Sequence, residues 1–206
     1  YEIRLSLVGS EMCIRDSELG SFDEWNENKS IPWELKKFPK HDSVSRLFRD
    51  LNLIYQNHKA MYFEEYNQAH FQWIMADNAE QSVLVFKREV PGETMIFVFN
   101  MTPRFYSEYD IGVPYEGEYE EILNTDKDVY GGWNQYNGAN LFTHGSGLQN
   151  QPYRITIKLA SFAGIFLRYI PKIKEEEKPV IEQKAEPIKQ ASAKKTTTRK
   201  LSLIHI

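Results

Sequence analysis

The sequence predicts a mainly β protein, an antiparallel sandwich preceded by a polar loop and one amphipathic helix. Three observations carry that expectation. Short runs of strand character recur from residue 71 to residue 169 with no helical period between them. Turn residues punctuate these runs, Pro91-Gly92 most plainly. A single helical period occurs, over residues 43–60, and it stops before the strands begin.

Residues 18–40 read as a loop, polar and interrupted by Gly20, Pro32 and Pro39. Within it, Ser30-Ile-Pro-Trp-Glu34 reads as the opening of a short helical turn with proline in its first turn. In residues 43–60, Val44, Leu47, Phe48, Leu51, Ile54 and Tyr55 follow the i, i+3, i+4, i+7 spacing of one buried face. Asp42 or Ser43 is the expected N-cap, and His58 and Lys59 put positive charge in the last turn. The strands expected next are 71–75, 81–87, 94–100, 105–111, 117–124, 153–159 and 164–169, with a polar turn at Asp77-Asn78. Residues 125–151 form a Gly/Asn/aromatic loop of a length that is usually packed or functional. Residues 173–200 are rich in Glu, Lys, Pro, Ala and Thr and predict a disordered tail, basic towards its end.

A helix standing alone before a sandwich has nothing obvious to cover its apolar face. It reads as the last helix of a preceding domain. On that reading Leu47→Asp or Phe48→Asp changes the stability of this chain little, because the partner surface is elsewhere.

Composition narrows the function classes. The chain carries a formal charge of −4, and its acidic excess lies ahead of the basic tail, which argues against nucleic acid as a partner. No apolar run approaches the roughly 20 residues of a membrane span. The one cysteine, Cys13, leaves no disulfide framework and no cysteine-ligated zinc. Cysteine poverty fits a cytoplasmic protein. The histidines show no metal-ligand spacing, and no cofactor is expected.

The two ends read as DNA rather than protein history. Leu201-Ser-Leu-Ile-His-Ile206 can be encoded by CTG TCT CTT ATA CAC ATC. The reverse complement of that string, in another frame, encodes Met12-Cys-Ile-Arg-Asp16. The shared string resembles a transposon mosaic end used in sequencing libraries, and Ser6–Glu11 reads as its preceding adapter. Residues 1–17 and 201–206 are therefore expected to be adapter-encoded and are set aside. The biological text is then 18–200, a truncated piece of a longer protein.

Ordered phrases within it carry a resemblance. They are Phe22-Asp-Glu-Trp-Asn26, Ile31-Pro-Trp33, Arg46-Leu-Phe-Arg-Asp-Leu-Asn-Leu-Ile-Tyr55, and His58-Lys-Ala60. Next come Asn100-Met-Thr-Pro103, Gly112-Val-Pro114, Glu121-Ile-Leu-Asn-Thr-Asp126 and Tyr130-Gly-Gly132. Over about residues 18–170 the set resembles the C-terminal part of bacterial glycogen branching enzymes of the α-amylase superfamily. The resemblance implies that 18–62 is the last loop and final helix of a (β/α)8 barrel and that 63–172 is a C-terminal β-sandwich. It also implies an α-glucan such as glycogen as substrate, and the barrel missing from this chain as an intramolecular partner.

The family's reaction cleaves an α-1,4 glucan and transfers the chain to a 6-hydroxyl. It needs two carboxyl groups facing each other across the scissile bond. By resemblance these stand on barrel strands upstream of Glu18, so no catalytic residue is expected here. Glu24-Glu27 and Asp126-Asp128 are close in sequence, which is not opposed placement across a sugar. Glu24, Trp25 and Asn26 are the expected glucan-facing residues, an aromatic on a barrel loop being suited to a sugar face. Two further readings remain: a free-standing glucan-binding sandwich, and the C-terminal part of another superfamily enzyme.

Overall fold

The computed structural model describes residues 18–21, 28–138 and 140–171, all within one compact unit, Tyr1–Lys172. The segments expected to be adapter-encoded, 1–17 and 201–206, the expected tail 173–200 and the triplet Glu24, Trp25, Asn26 lie outside the described residues.

Among the described residues, eight antiparallel strands form two sheets. They are β1 (Phe71–Met75), β2 (Val83–Val90), β3 (Glu93–Asn100), β4 (Tyr106–Val113), β5 (Glu118–Asn124), β6 (Leu141–Phe142), β7 (Tyr153–Leu159) and β8 (Gly164–Ile170). The larger sheet has the order β1-β2-β3-β8-β5-β6, and β4 pairs with β7 in the smaller one. The last strand thus lies between β3 and β5, closing the large sheet at its centre.

Alternation along each strand builds the layer between the sheets. Val83, Val85, Ile96, Val98, Tyr119, Ile165 and Leu167 point inward from the large sheet. Ile111, Val113, Ile155, Ile157 and Leu159 meet them from the small one. Two irregularities adjust the pattern. A register shift in β1 between Trp73 and Met75 brings Ile74 and Met75 both into this core. Another between Glu121 and Leu123 sends Leu123 to the opposite face from Tyr119.

That opposite face is also covered. Helix α1 (Pro39–Asn57) and the short α2 (Lys59–Tyr62) lie on it. Leu47, Leu51 and Ile54 of α1 and Ala60 and Met61 of α2 pack with Met95, Phe97, Leu123 and Phe166. An aromatic row floors the contact: Phe86 stacks on Phe97 at 4.8 Å, and Phe97 meets Phe166 edge to face at 4.8 Å. The expectation of an unpartnered helix is therefore corrected. The sheet exposes a second apolar face because β3 is apolar at successive positions, and the helix fills it. The uncovered side of α1 is a different stripe, with Phe48 half-buried and Leu53 exposed.

Helix α1 begins earlier than expected. Phe38 is extended at φ −95° and Pro39 takes the first turn, where a missing N–H costs nothing. Asp42 is a first-turn acid, ion-paired to Arg46 at 2.6 Å, and not the cap. The expected turn near Ser30 is a 3-10 turn at Trp33–Lys37, beginning after Pro32. Residues 81 and 82 belong to a turn, since the Gln81 and Ser82 amides bind Asn78 and Ser82 has φ 47°. Strand β6 lies inside the stretch expected to be all loop.

His58 interrupts the helices at φ −112°. Its Nδ1–H donates to Glu93 Oε1 at 2.6 Å, and the Ala60 amide donates to Glu93 Oε2 at 2.8 Å. His58 is thus a clasp between helix and sheet, placed at the C-cap of α1 rather than within its last turn. Arg88 reinforces the junction by donating to the Ala60 carbonyl at 2.6 Å. Glu93→Ala removes both acceptors and should lower stability by about 1–3 kcal/mol. Urea unfolding measures it; a change within error would mean the clasp contributes nothing.

Candidate functional site

The loop expected to face glucan is described only at its flanks. Leu19 is 3% exposed, and the His41 ring donates to its carbonyl at 2.8 Å, fixing that end of the loop on α1. After the undescribed residues the chain returns through Ile31, Trp33 and Phe38, all exposed, Trp33 at 61%. Beside this loop an open cleft of about 310 Å³ is lined by Glu18, Ser45, Phe48, Arg49, Asn52, Leu53 and Gln56. Glu18 thus borders the stripe of α1 that carries Phe48 and Leu53.

The carboxylates once offered as a pair have structural duties. Asp126 is 8% exposed. Its Oδ1 accepts from the Trp133 amide at 3.1 Å and its Oδ2 from the Gln135 amide at 2.8 Å. The Asp126 carbonyl accepts from the Asn134 amide at 2.7 Å. Asp128 accepts from the Val129 amide at 2.8 Å, as a first-turn acid of the 3-10 turn Asp128–Tyr130.

This loop is tied down on every side. A Cβ on Gly132 would lie 2.2 Å from the Asp126 carbonyl oxygen, so only glycine fits there. The Tyr130 hydroxyl donates to Asp50 of α1 at 2.9 Å. Burial, followed by the bond to Asp50, pushes Tyr130 up to about 12, so it remains a neutral donor. Asn137 donates to Glu121 at 2.6 Å and accepts from the Lys158 amide at 2.7 Å. From this frame Trp133 projects with 87% of its surface exposed, and Tyr136 follows at 38%. The sequence signals for the frame are the phrases Glu121-Ile-Leu-Asn-Thr-Asp126 and Tyr130-Gly-Gly132; nothing in composition separates Trp133 from the other aromatics.

A second cleft, of about 520 Å³, lies at the β2–β3 turn among His70, Glu89, Glu93, Thr94, Tyr115 and Tyr169. Its polar groups are mutually engaged. The Tyr115 hydroxyl donates to Glu89, a bond that with burial raises it to about 12. Lys87 pairs with Glu89 at 2.7 Å, and His70 Nδ1–H donates to the Glu89 carbonyl at 2.7 Å. Among the described residues no group of three His, Cys, Asp or Glu side chains is placed to hold a metal. No helix among them is long and apolar enough to cross a membrane.

Comparison with known proteins fits this geometry. Residues 73–170 match the family model of the alpha amylase C-terminal all-beta domain. The chain is 42% identical over 180 residues to the 1,4-alpha-glucan branching enzyme GlgB 1 of Clostridium perfringens strain 13, a match covering 85% of this chain and 27% of that protein. It is 39% identical over 160 residues to GlgB of Hydrogenovibrio crunogenus, covering 78% and 22%. It is 34% identical over 166 residues to GlgB of Bacillus subtilis strain 168, covering 80% and 26%. The chain thus spans about a quarter of the length of these relatives. Among solved structures, an alpha-amylase from H. orenii is similar at a TM-score of 0.42 and 11% identity, over 74% of this chain and 27% of that one. So distant a likeness adds nothing to the sequence matches.

Proposed function

Because residues 73–170 belong to the alpha amylase C-terminal all-beta domain family, we propose that this chain is the C-terminal part of a 1,4-α-glucan branching enzyme. The observation that carries the reading is the 42% identity over 180 residues, which runs well outside 73–170 into the helix and loop before the sandwich. On this reading the whole enzyme cleaves α-1,4 glucan and rejoins the chain through an α-1,6 bond. The nucleophile and acid, about 5–5.5 Å apart in a retaining enzyme, belong to a barrel outside this chain.

The division of labour follows. Residues 18–62 are the last loop and helix of the barrel, and 63–172 are the sandwich that supports them. Residues 1–17 and 201–206 remain, on this reading, adapter-encoded, with 173–200 a tail. The stripe Phe48, Leu53 and the cleft at Glu18 would meet the rest of the barrel. Covering them would remove the exposed apolar surface that α1 now shows. Glu24, Trp25 and Asn26 face the glucan from the barrel rim. The enzyme works in the cytoplasm, where its glycogen substrate would be.

Covering of the α1 sheet-side stripe by the sandwich weakens one objection to a free-standing module, since that stripe is not wet. The second stripe keeps the objection in force. The test is to read the genomic frame upstream of the Glu18 codon, express the longer product and assay it on amylose. New α-1,6 linkages are expected. A product that only hydrolyses would point to another superfamily enzyme, and a start codon just upstream of Glu18 would point to a free-standing module.

A further inference from the structure

We infer that the loop 126–137 presents a secondary glucan-binding platform on the sandwich, with Trp133 as its stacking face and Tyr136 as its second ring. The inference rests on the α-glucan reading for the identity of its ligand.

Trp133 stands on a loop held by backbone hydrogen bonds. Its backbone is fixed by the buried Asp126, whose two carboxylate oxygens accept the amides on either side of Asn134. The close approach of Gly132 to the Asp126 carbonyl and the left-handed Gly131, at φ 83°, set the turn that aims the side chain. Asn134 follows at φ 64°, in the left-handed region that asparagine tolerates better than most side chains. A buried carboxylate and a glycine without room for a methyl group thus fix the backbone under a side chain that is itself left largely exposed.

An 87% exposed tryptophan on a fixed backbone has the form of a preorganised contact: a large apolar face that loses little entropy when covered. The groups around Tyr136, three residues further along the loop, choose the ligand. Tyr136 is partly exposed nearby along the loop, with the Lys127 ammonium 5.7 Å from its ring centre. Glu121, Lys127, Tyr136 and Asn137 line a shallow cleft of about 180 Å³. Aromatic faces beside amide, carboxylate and ammonium groups suit a polyol, whose ring carbons stack and whose hydroxyls hydrogen-bond. The acidic body disfavours a nucleic acid on the same rings. A site here would hold a neighbouring segment of a long glucan while the chemistry proceeds elsewhere.

The test is affinity electrophoresis of the full 206-residue chain in native gels containing glycogen. The chain should be retarded, and Trp133→Ala should weaken apparent binding by about tenfold. Tyr136→Ala should weaken it less, and Trp133→Phe should restore part of it. Thermal unfolding of each variant controls for folding, and Trp133→Ala should leave the midpoint unchanged because so little of the ring is covered. Retardation unaltered by Trp133→Ala overturns the platform while leaving glucan recognition by this chain in place. No retardation of the unaltered chain overturns it as well. Neither result bears on the branching reading, which is judged by α-1,6 linkages made by the longer product.

Discussion

Leu51→Asp should lower the unfolding free energy of this chain by about 2–4 kcal/mol, and Phe48→Asp by less than about 0.5 kcal/mol. The two residues are three positions apart on one helix and are both apolar, so propensity does not separate them. Leu51 packs on the outer face of the large sheet with Met95, Phe97 and Phe166. A carboxylate there would enter an aromatic surface with no partner. Phe48 lines the open cleft with Glu18, Ser45 and Arg49, where a carboxylate stays hydrated. Urea unfolding of both variants decides the matter. Equal small changes would restore the unpartnered helix, and equal large ones would mean that both stripes are covered within this chain.

Asn100→Ala should be comparably damaging, at about 2–4 kcal/mol, because it strands several backbone groups at once. Asn100 is 1% exposed. Its Nδ2 donates to the Arg104 carbonyl at 2.7 Å and to the Ala160 carbonyl at 2.8 Å. Its Oδ1 accepts from the Thr102 amide at 3.0 Å and the Thr102 hydroxyl at 2.7 Å. One side chain therefore joins the turn after β3 to the turn after β7. Asn100→Asp should be at least as damaging, since a carboxylate cannot donate to either carbonyl. Thermal and urea midpoints of both variants check this; an Asp variant as stable as the parent would contradict the assignment of the amide.

These contacts explain what could be read in advance. Residues that alternate inward, such as Val83 and Val85 or Ile155 and Ile157, announce strands through side-chain period alone, and those strands are present. The phrase Asn100-Met-Thr-Pro103 marked a special position, yet its reason lies in Ala160, 60 residues away, which no local pattern reveals. Covering of the sheet's outer face was written in β3. Met95 and Phe97 lie between Thr94, Ile96 and Val98, giving an unbroken apolar run that a one-sided sheet does not need. Taken with Leu47, Leu51 and Ile54 that run points to a helix on the sheet. The expectation that this helix face has no partner within the chain overlooked that run.

The candidate site was less legible. Glu24, Trp25 and Asn26 were chosen by resemblance, and they lie outside the described residues. Asp126 and Asp128 look like a carboxylate pair in sequence and prove to be backbone acceptors in the fold. Trp133 stood out only once its exposure could be set against the rigidity of its support. Exposure depends on neighbours from β5, α1 and β7, and none of these is adjacent in sequence.

On the proposed reading, this chain carries the supporting sandwich, and the chemistry of glucan branching belongs to a barrel outside it. The most direct measurement is to incubate the purified chain with amylose, follow the iodine colour over time, and debranch the product to count α-1,6 linkages. The account predicts a constant absorbance and no new linkages. A steady loss of colour accompanied by new α-1,6 linkages would contradict it and would place a complete active site within these residues.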